Sequence, residues 1–342
     1  MIDQPEEIEG IKVTNEIKYL GIQVCNKKDL FQNYRKEKIK TARLLAEQTL
    51  SIISKSCNRM LVGKTYWKGV AVPAILYGSP VVRWRKKEIG ILEGIQNSVG
   101  RKILKTGMYA STDGIRGEIG MSTMKTRINK SVIQYTRRIK TEGNEHLEEI
   151  MESHKDNNDV IHKYILNIKR DYKIERNEGE MSKNEVNKIF QEADTSTWRE
   201  NLEKKSTLEY YKIFKKEIKE VKRYFNDTKS ELYIKARINS LPLAGRINEA
   251  GDRRICKLCK NEWEDLKHFL FECPKLDHVR REHFILQRPH NTTTKQIETM
   301  LFKEENEEEA KKIINKLWGV RNNMLKDENS VGVLTNPLSN DE

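Results

Sequence analysis

The 342-residue sequence has no apolar run long enough to cross a membrane and no signal-peptide pattern at Met1-Ile2-Asp3-Gln4. It also lacks a Gly-rich phosphate loop, a nucleophile-elbow serine and a His-Glu-x-x-His helix. The common nucleotide-hydrolysing, serine-hydrolase and zinc-protease chemistries are therefore without their reacting groups. Cysteine is sparse: there are five, an odd number, and three fall within one 18-residue stretch. A disulfide framework is not built that way, so a reducing intracellular compartment is expected. Carboxylates are also in deficit, with 51 Asp and Glu against 64 Lys and Arg, a net charge of +13 and a pI near 9.3. That balance suits a polyanionic partner. The deficit is concentrated, because Lys27 to Lys140 holds 25 basic and only 7 acidic residues while the remainder is mildly acidic.

What is present is most specific at CKLCKNEWEDLKHFLFEC, Cys256 to Cys273. The spacing Cys-x2-Cys-x8-His-x4-Cys offers Cys256, Cys259, His268 and Cys273 as four ligands for a structural Zn2+. A two-residue gap turns two thiolates onto one ion, and the x4 gap brings the second pair together across about one helical turn. Four protein ligands leave no open position for water, so the metal would be structural. The alternative is a set of reduced, buried cysteines, but Lys257, Lys260, Asn261 and Glu262 leave little apolar surface to bury them. His278 and His283 are near enough to substitute as ligands, and rank below His268 because its run Leu266 to Phe271 is amphipathic.

Taken in order, Ile11 to Val24 is rich in β-formers and reads as a strand pair, or as one strand bent at Gly21. From Asn33 the period becomes helical, with Ile39, Ala42, Ala46, Leu50 and Ile53 on one face. A second helix spans Leu61 to Leu76 and stops at Tyr77-Gly78-Ser79-Pro80. A third buries Ile89, Leu92, Ile95, Val99 and Ile103 and projects Arg101, Lys102 and Lys105. A fourth, from about Thr123 to Lys140, buries Met124, Ile128, Val132, Tyr135 and Ile139 and projects Arg127, Lys130, Arg137 and Arg138. Cationic faces with few acidic partners point to a nucleic-acid backbone, a merely solvated face being the alternative. The polar run Glu152 to Asp159 reads as a boundary. Helices are expected around Val160 to Tyr172 and from Trp198 to Lys222, followed by Leu232 to Leu243, with Arg237 and Arg246 near the Cys/His stretch. Ile313, Ile314, Leu317 and Trp318 read as a short terminal helix, and Asn329 to Glu342 as a disordered tail. The expected fold is mainly α, in five segments: a β-hairpin at 1–26, a basic helical bundle at 27–150, a helical connector at 151–245, the zinc region at 246–290, and a helix with its tail at 291–342.

Five fragments in order add a resemblance. KYLGI at Lys18 to Ile22, VPAILYG at Val72 to Gly78, LEGIQNSVGRKIL at Leu92 to Leu104 and GEIGMSTMKTRI at Gly117 to Ile128 resemble the end of the palm and the thumb of non-LTR (LINE-type) retrotransposon reverse transcriptases. RINSLPLAGRINEAGDRRICKLC with its HFLFEC tail is similar to the CCHC zinc motif of the same elements. The likeness covers roughly residues 16 to 290. It implies a thumb-like bundle that holds a primer-template duplex and a zinc region that helps hold element RNA or target DNA, in a nuclear protein. The family's polymerase uses an Asp-Asp turn to hold two metal ions, and no Asp-Asp pair occurs here. The chain alone is therefore expected to be inactive as a polymerase, a fragment that binds RNA, DNA or their hybrid. Two alternatives stay open: a palm supplied in trans, and a helical protein-interaction scaffold.

Overall fold

The computed structural model describes residues 7–8, 10–27, 29–143, 145–220, 227–247, 251–283 and 301–333. The fold is mainly helical with short antiparallel hairpins at the start. β1 (Glu7–Ile8) pairs with β2 (Ile11–Lys12), and β3 (Glu16–Tyr19) with β4 (Ile22–Cys25). The β3–β4 loop is Leu20-Gly21, with φ of 46° and 79°. Two successive positive φ values make the tight turn that matches strand twist, and glycine takes one of them without a Cβ clash. The Tyr-Leu-Gly-Ile step is therefore a strand pair.

The helices follow as α1 (Gln32–Ser54), α2 (Arg59–Tyr66), α3 (Val72–Leu76), α4 (Lys86–Ile103), α5 (Thr112–Ile119), α6 (Met124–Thr141), α7 (Glu145–Asp156), α8 (Val160–Asp171) and α9 (Lys183–Glu203). After these come α10 (Tyr211–Phe214), α11 (Glu231–Arg237), α12 (Ala244–Ile247), α13 (Asp277–Arg281) and α14 (Glu307–Val333). Packing gathers the chain into two compact units, each discontinuous in sequence. One comprises Met1–Lys55, Val62–Val99 and Ser122–Thr197; the other comprises Ser56–Leu61, Gly100–Met121 and Trp198–Glu342.

In the first unit α1 buries Ile39, Ala42 and Ile53 as its period requires, while Ala46 and Leu50 are only half-buried. Arg35 is 1% exposed, and a cation so placed must be paired. It bonds Asp29, lies 2.8 Å from a Glu88 oxygen and donates to the Arg83 carbonyl at 3.0 Å. The apolar stretch expected as one helix divides into α2, a π turn at Trp67–Ala71, and α3. Pro73 has no N–H to give to the carbonyl four residues back. The ladder shifts register there, the Val72 N–H bonding the Trp67 carbonyl. Gly78 ends the stretch with φ of 76°, and the Tyr34 hydroxyl, bonded to the Tyr77 carbonyl, fills the space a side chain at 78 would need. Helix α6 starts at Thr123, whose hydroxyl accepts the Thr126 N–H at 3.0 Å. It buries Met124, Ile128, Val132 and Ile139, with Tyr135 half-buried. Val132 and Ile133 join Ile165, Ile168, Val186 and Phe190 from α8 and α9 in one core.

In the second unit α5 is buried along nearly its whole length, from Asp113 to Ile119. Its glycines permit that. A Cβ at Gly117 would strike the Tyr211 hydroxyl and lie 2.8 Å from the Trp198 ring, and one at Gly114 would lie 3.0 Å from Ile238. The Trp198 indole N–H donates to the Asp113 carbonyl at 2.8 Å. Glu118, fully buried, pairs with Arg237 at 3.2 Å, and the Arg237 guanidinium lies 4.3 Å over Phe214. Arg237 is thus a structural cation of this core.

Several expectations change. The polar run Glu152 to Asp159 is largely helical, as the second half of α7 and the Asp159 cap of α8. No single helix spans Trp198 to Lys222: α9 carries Trp198 to its end at Glu203, and a 3-10 turn at Ser206–Leu208 separates it from α10. The terminal helix is long, and Asn329 to Val333 belong to it; 334–342 lie outside the described residues, as do 221–226 and 284–300.

Candidate metal centre and basic surfaces

Cys256, Cys259, His268 and Cys273 converge, their ligand atoms all within 4.8 Å of one another, close enough to hold one metal ion. Local backbone geometry builds the cluster. Ile255 bridges to Trp263 in antiparallel pairing, and the Cys256 N–H bonds the Glu262 carbonyl at 2.7 Å. Lys260, just after Cys259, takes φ of 57°, and its N–H bonds the Cys256 carbonyl at 2.9 Å. This reversal turns both sulfurs inward. The other two ligands sit at the ends of a π turn, His268–Glu272, with Cys273 as its cap and the Cys273 N–H bonding the His268 carbonyl at 2.8 Å. Five positions separate the two ligands, and a π turn closes over five where an α turn closes over four. The expected single turn is thus wider than an α turn.

The distances suit a tetrahedron. With bonds of about 2.3 Å to sulfur and about 2.0 Å to nitrogen, its edges are about 3.8 Å between sulfurs and about 3.5 Å from sulfur to nitrogen. The Cys256 and Cys273 sulfurs are 3.9 Å apart, and Cys259 Sγ is 3.4 Å from His268 Nε2. His268 Nδ1 faces a Glu262 carboxylate oxygen at 3.2 Å, the carboxylate contact that orients a metal-binding imidazole. The His268 N–H donates to Asp265 at 2.7 Å. Contact with Cys273 pushes the Cys256 thiol up to about 12, burial adding to it, and the reciprocal contact lowers Cys273. For His268 burial works downward, but Cys256, Cys259 and Glu262 outweigh it and push the imidazole up to about 9. The pocket is electron-rich and favours a cation. His278 is exposed, and His283 Nδ1 meets Glu309 at 2.9 Å, so neither joins the cluster.

The cluster is anchored from behind. Phe269 meets Trp318 edge to face at 5.7 Å. Glu264, 1% exposed, accepts two bonds from Arg321 at 2.6 and 2.9 Å and the Ala244 N–H at 2.7 Å. Arg280 donates to the Cys273 carbonyl.

The seven candidate phosphate-binding cations divide between the two units. In the second, Arg101 is half-buried and donates to the Ala110 carbonyl at 3.4 Å. Lys102 is exposed, and its carbonyl accepts the Arg59 guanidinium at 2.7 and 2.9 Å. Lys105 lies beyond the end of α4, with φ of 51°, and pairs with Glu231 at 2.8 Å. In the first unit Arg138 is exposed, stacked 5.7 Å over Tyr135 and 3.5 Å from Glu142. Arg137 is half-buried. Arg127 and Lys130 are half-buried neighbours on α6, and Lys183 approaches from α9. Burial, then Arg127 and Lys183, pull the Lys130 ammonium below the usual lysine range. Sequence reasoning missed Lys183, which no local spacing links to α6. It also missed Lys36, Lys40 and Arg43, exposed along α1 at i, i+4 and i+7, a stripe the spacing alone could have shown.

Among the described residues no helix is long and apolar enough to cross a membrane. Compared with known protein families, with curated proteins and with solved structures, the chain matches none.

Proposed function

We propose that the protein is a nucleic-acid-binding part of a non-LTR retrotransposon reverse transcriptase, with a structural Zn2+ held by Cys256, Cys259, His268 and Cys273. Three sulfurs and one nitrogen at tetrahedral spacing carry the zinc assignment. The metal supplies folding energy and no reactive water; the chain's part is to orient His268 through Glu262 and to bury the cluster against Trp318 and Arg321. One zinc per chain is expected by elemental analysis of the purified protein, and Cys256→Ser or Cys273→Ser should lose metal and local folding together. Zinc retained at full stoichiometry in the double change Cys256→Ser, Cys259→Ser would overturn the assignment.

The observation that supports nucleic acid is the basic excess of Lys27 to Lys140, in which Lys130 of α6 feels both Arg127 of its own helix and Lys183 of α9 as like charges. A polyphosphate backbone beside such a surface is attracted to it and releases its own counterions. RNA, DNA and RNA-DNA hybrid all offer that backbone, and a nuclear site of action goes with the reading. Changing Arg127, Lys130 and Lys183 to Gln should weaken duplex binding and flatten the slope of log affinity against log salt by about 2 to 3. An unchanged slope, in a protein with unchanged circular dichroism, would leave only a solvated basic face.

A further inference from the structure

One large apolar side chain near the metal cluster is not used by it. Trp263 is 63% exposed, although its backbone pairs with Ile255 beside the first ligand. Successive side chains of an extended segment point to opposite faces. Glu262 meets His268 and Glu264 is buried, so the indole between them is turned to solvent. It is not bare, since the Arg254 guanidinium lies 5.7 Å from its ring centroid. Four cations, Arg253, Arg254, Lys257 and Lys260, precede Trp263 within ten positions, with Glu262 the one acidic residue in that span, and Arg253, Lys257 and Lys260 are exposed.

We propose that Trp263 is a stacking platform for an unpaired nucleobase of single-stranded nucleic acid, with Arg253, Arg254, Lys257 and Lys260 meeting the flanking phosphates. This rests on the nucleic-acid reading given above and adds the form of the ligand. A flat, largely exposed indole with a guanidinium over one side of its ring offers the other π face, which any base can cover. Bases inside a duplex have both faces covered by neighbouring pairs, so the ligand has to be single-stranded. Stacking is tolerant of sequence, whereas the cations fix the backbone without reading bases.

The test uses the zinc-loaded full chain, titrated with a single-stranded RNA of about 12 nucleotides, the DNA of the same sequence, and the duplex. Single strands should quench tryptophan fluorescence. Trp263→Ala should abolish most of that quenching and weaken single-strand binding about 5- to 150-fold, while Trp263→Phe keeps most of the affinity. The salt slope should be the same in all three proteins, because stacking releases no counterions. Quenching by either strand supports the platform, and the tighter one identifies the preferred sugar. Zinc content is measured for each variant; should Trp263→Ala lose metal, the wild-type quenching and the Phe variant decide. Single-strand binding without quenching, or with Trp263→Ala unaffected, overturns the proposal and leaves the nucleic-acid reading intact. A wild-type chain that binds neither strand nor duplex removes that reading, and the platform with it.

Discussion

Glu178 is 4% exposed and lies between two ammonium groups, Lys140 at 2.9 Å and Lys169 at 3.0 Å. Burial pushes its carboxyl up, but the two lysines and a backbone N–H outweigh this and hold it below the usual carboxylate range of about 4.5. A lowered folded value means that the stability it contributes is complete above the unfolded pKa and is lost as pH falls through the folded one. Glu178→Gln should therefore cost about 1–3 kcal/mol at neutral pH, and should flatten the loss of stability on acidification. Urea midpoints measured from pH 7 down to pH 3 check it; parallel acid limbs in the two proteins would mean that Glu178 contributes no pH-dependent stability. At this scale the sequence is uneven. The cluster of Cys256, Cys259, His268 and Cys273 is legible because a knuckle is local, and its spacing encodes it. Glu178, Lys183 and the Glu264–Arg321 pair are not, because each acquires its meaning from a partner far along the chain.

Among the contacts by which helix α14 reaches the 246–290 region are a buried ion pair and an aromatic edge. Arg321 is 6% exposed and Glu264 1%, so removing the guanidinium strands a carboxylate away from water. Arg321→Met should cost about 3–5 kcal/mol, and the double change Arg321→Met, Glu264→Gln should recover part of it. Thermal unfolding of both variants, with zinc content followed in parallel, tests this; an Arg321→Met protein as stable as wild type would show that the pair is solvated. The periods of α1, α4 and α6 were legible in the sequence because each helix buries most of one stripe, although Ala46, Leu50, Ile89, Ile95 and Tyr135 are only half-buried and α4 contributes to both units. The expected helix from Trp198 to Lys222 shows what periodicity misses. Across 13 positions of continuous helix, the rings of Trp198 and Tyr211 would stand about 20 Å apart. They are 6.4 Å apart, both against Gly117, so the chain has to turn back between them. The place where the two rings meet is a glycine some eighty positions before Trp198, which no local period announces.

For the whole molecule, mainly helical architecture and the opening hairpin follow from composition and period, while the partition into two units does not. Each unit is assembled from three separated stretches, and such assembly is set by which faces match at a distance. The net charge of +13 is a property of the sum, yet the cations that gather, Arg127, Lys130 and Lys183, come from two helices and were half visible at best. Interleaving also sets an order of events during synthesis. Helix α5 leaves the ribosome well before Trp198, Tyr211 and Arg237 exist to cover Gly117 and neutralise Glu118. At translation speeds of about 5–20 residues per second, the stretch ending at Met121 waits roughly 4–15 s for Trp198. Throughout that interval Ile115 and Ile119 already have Gly100 of α4 beside them, but the Gly114 and Gly117 face of α5 still waits for Ile238, Trp198 and Tyr211, which leaves that face open to a chaperone at the exit tunnel.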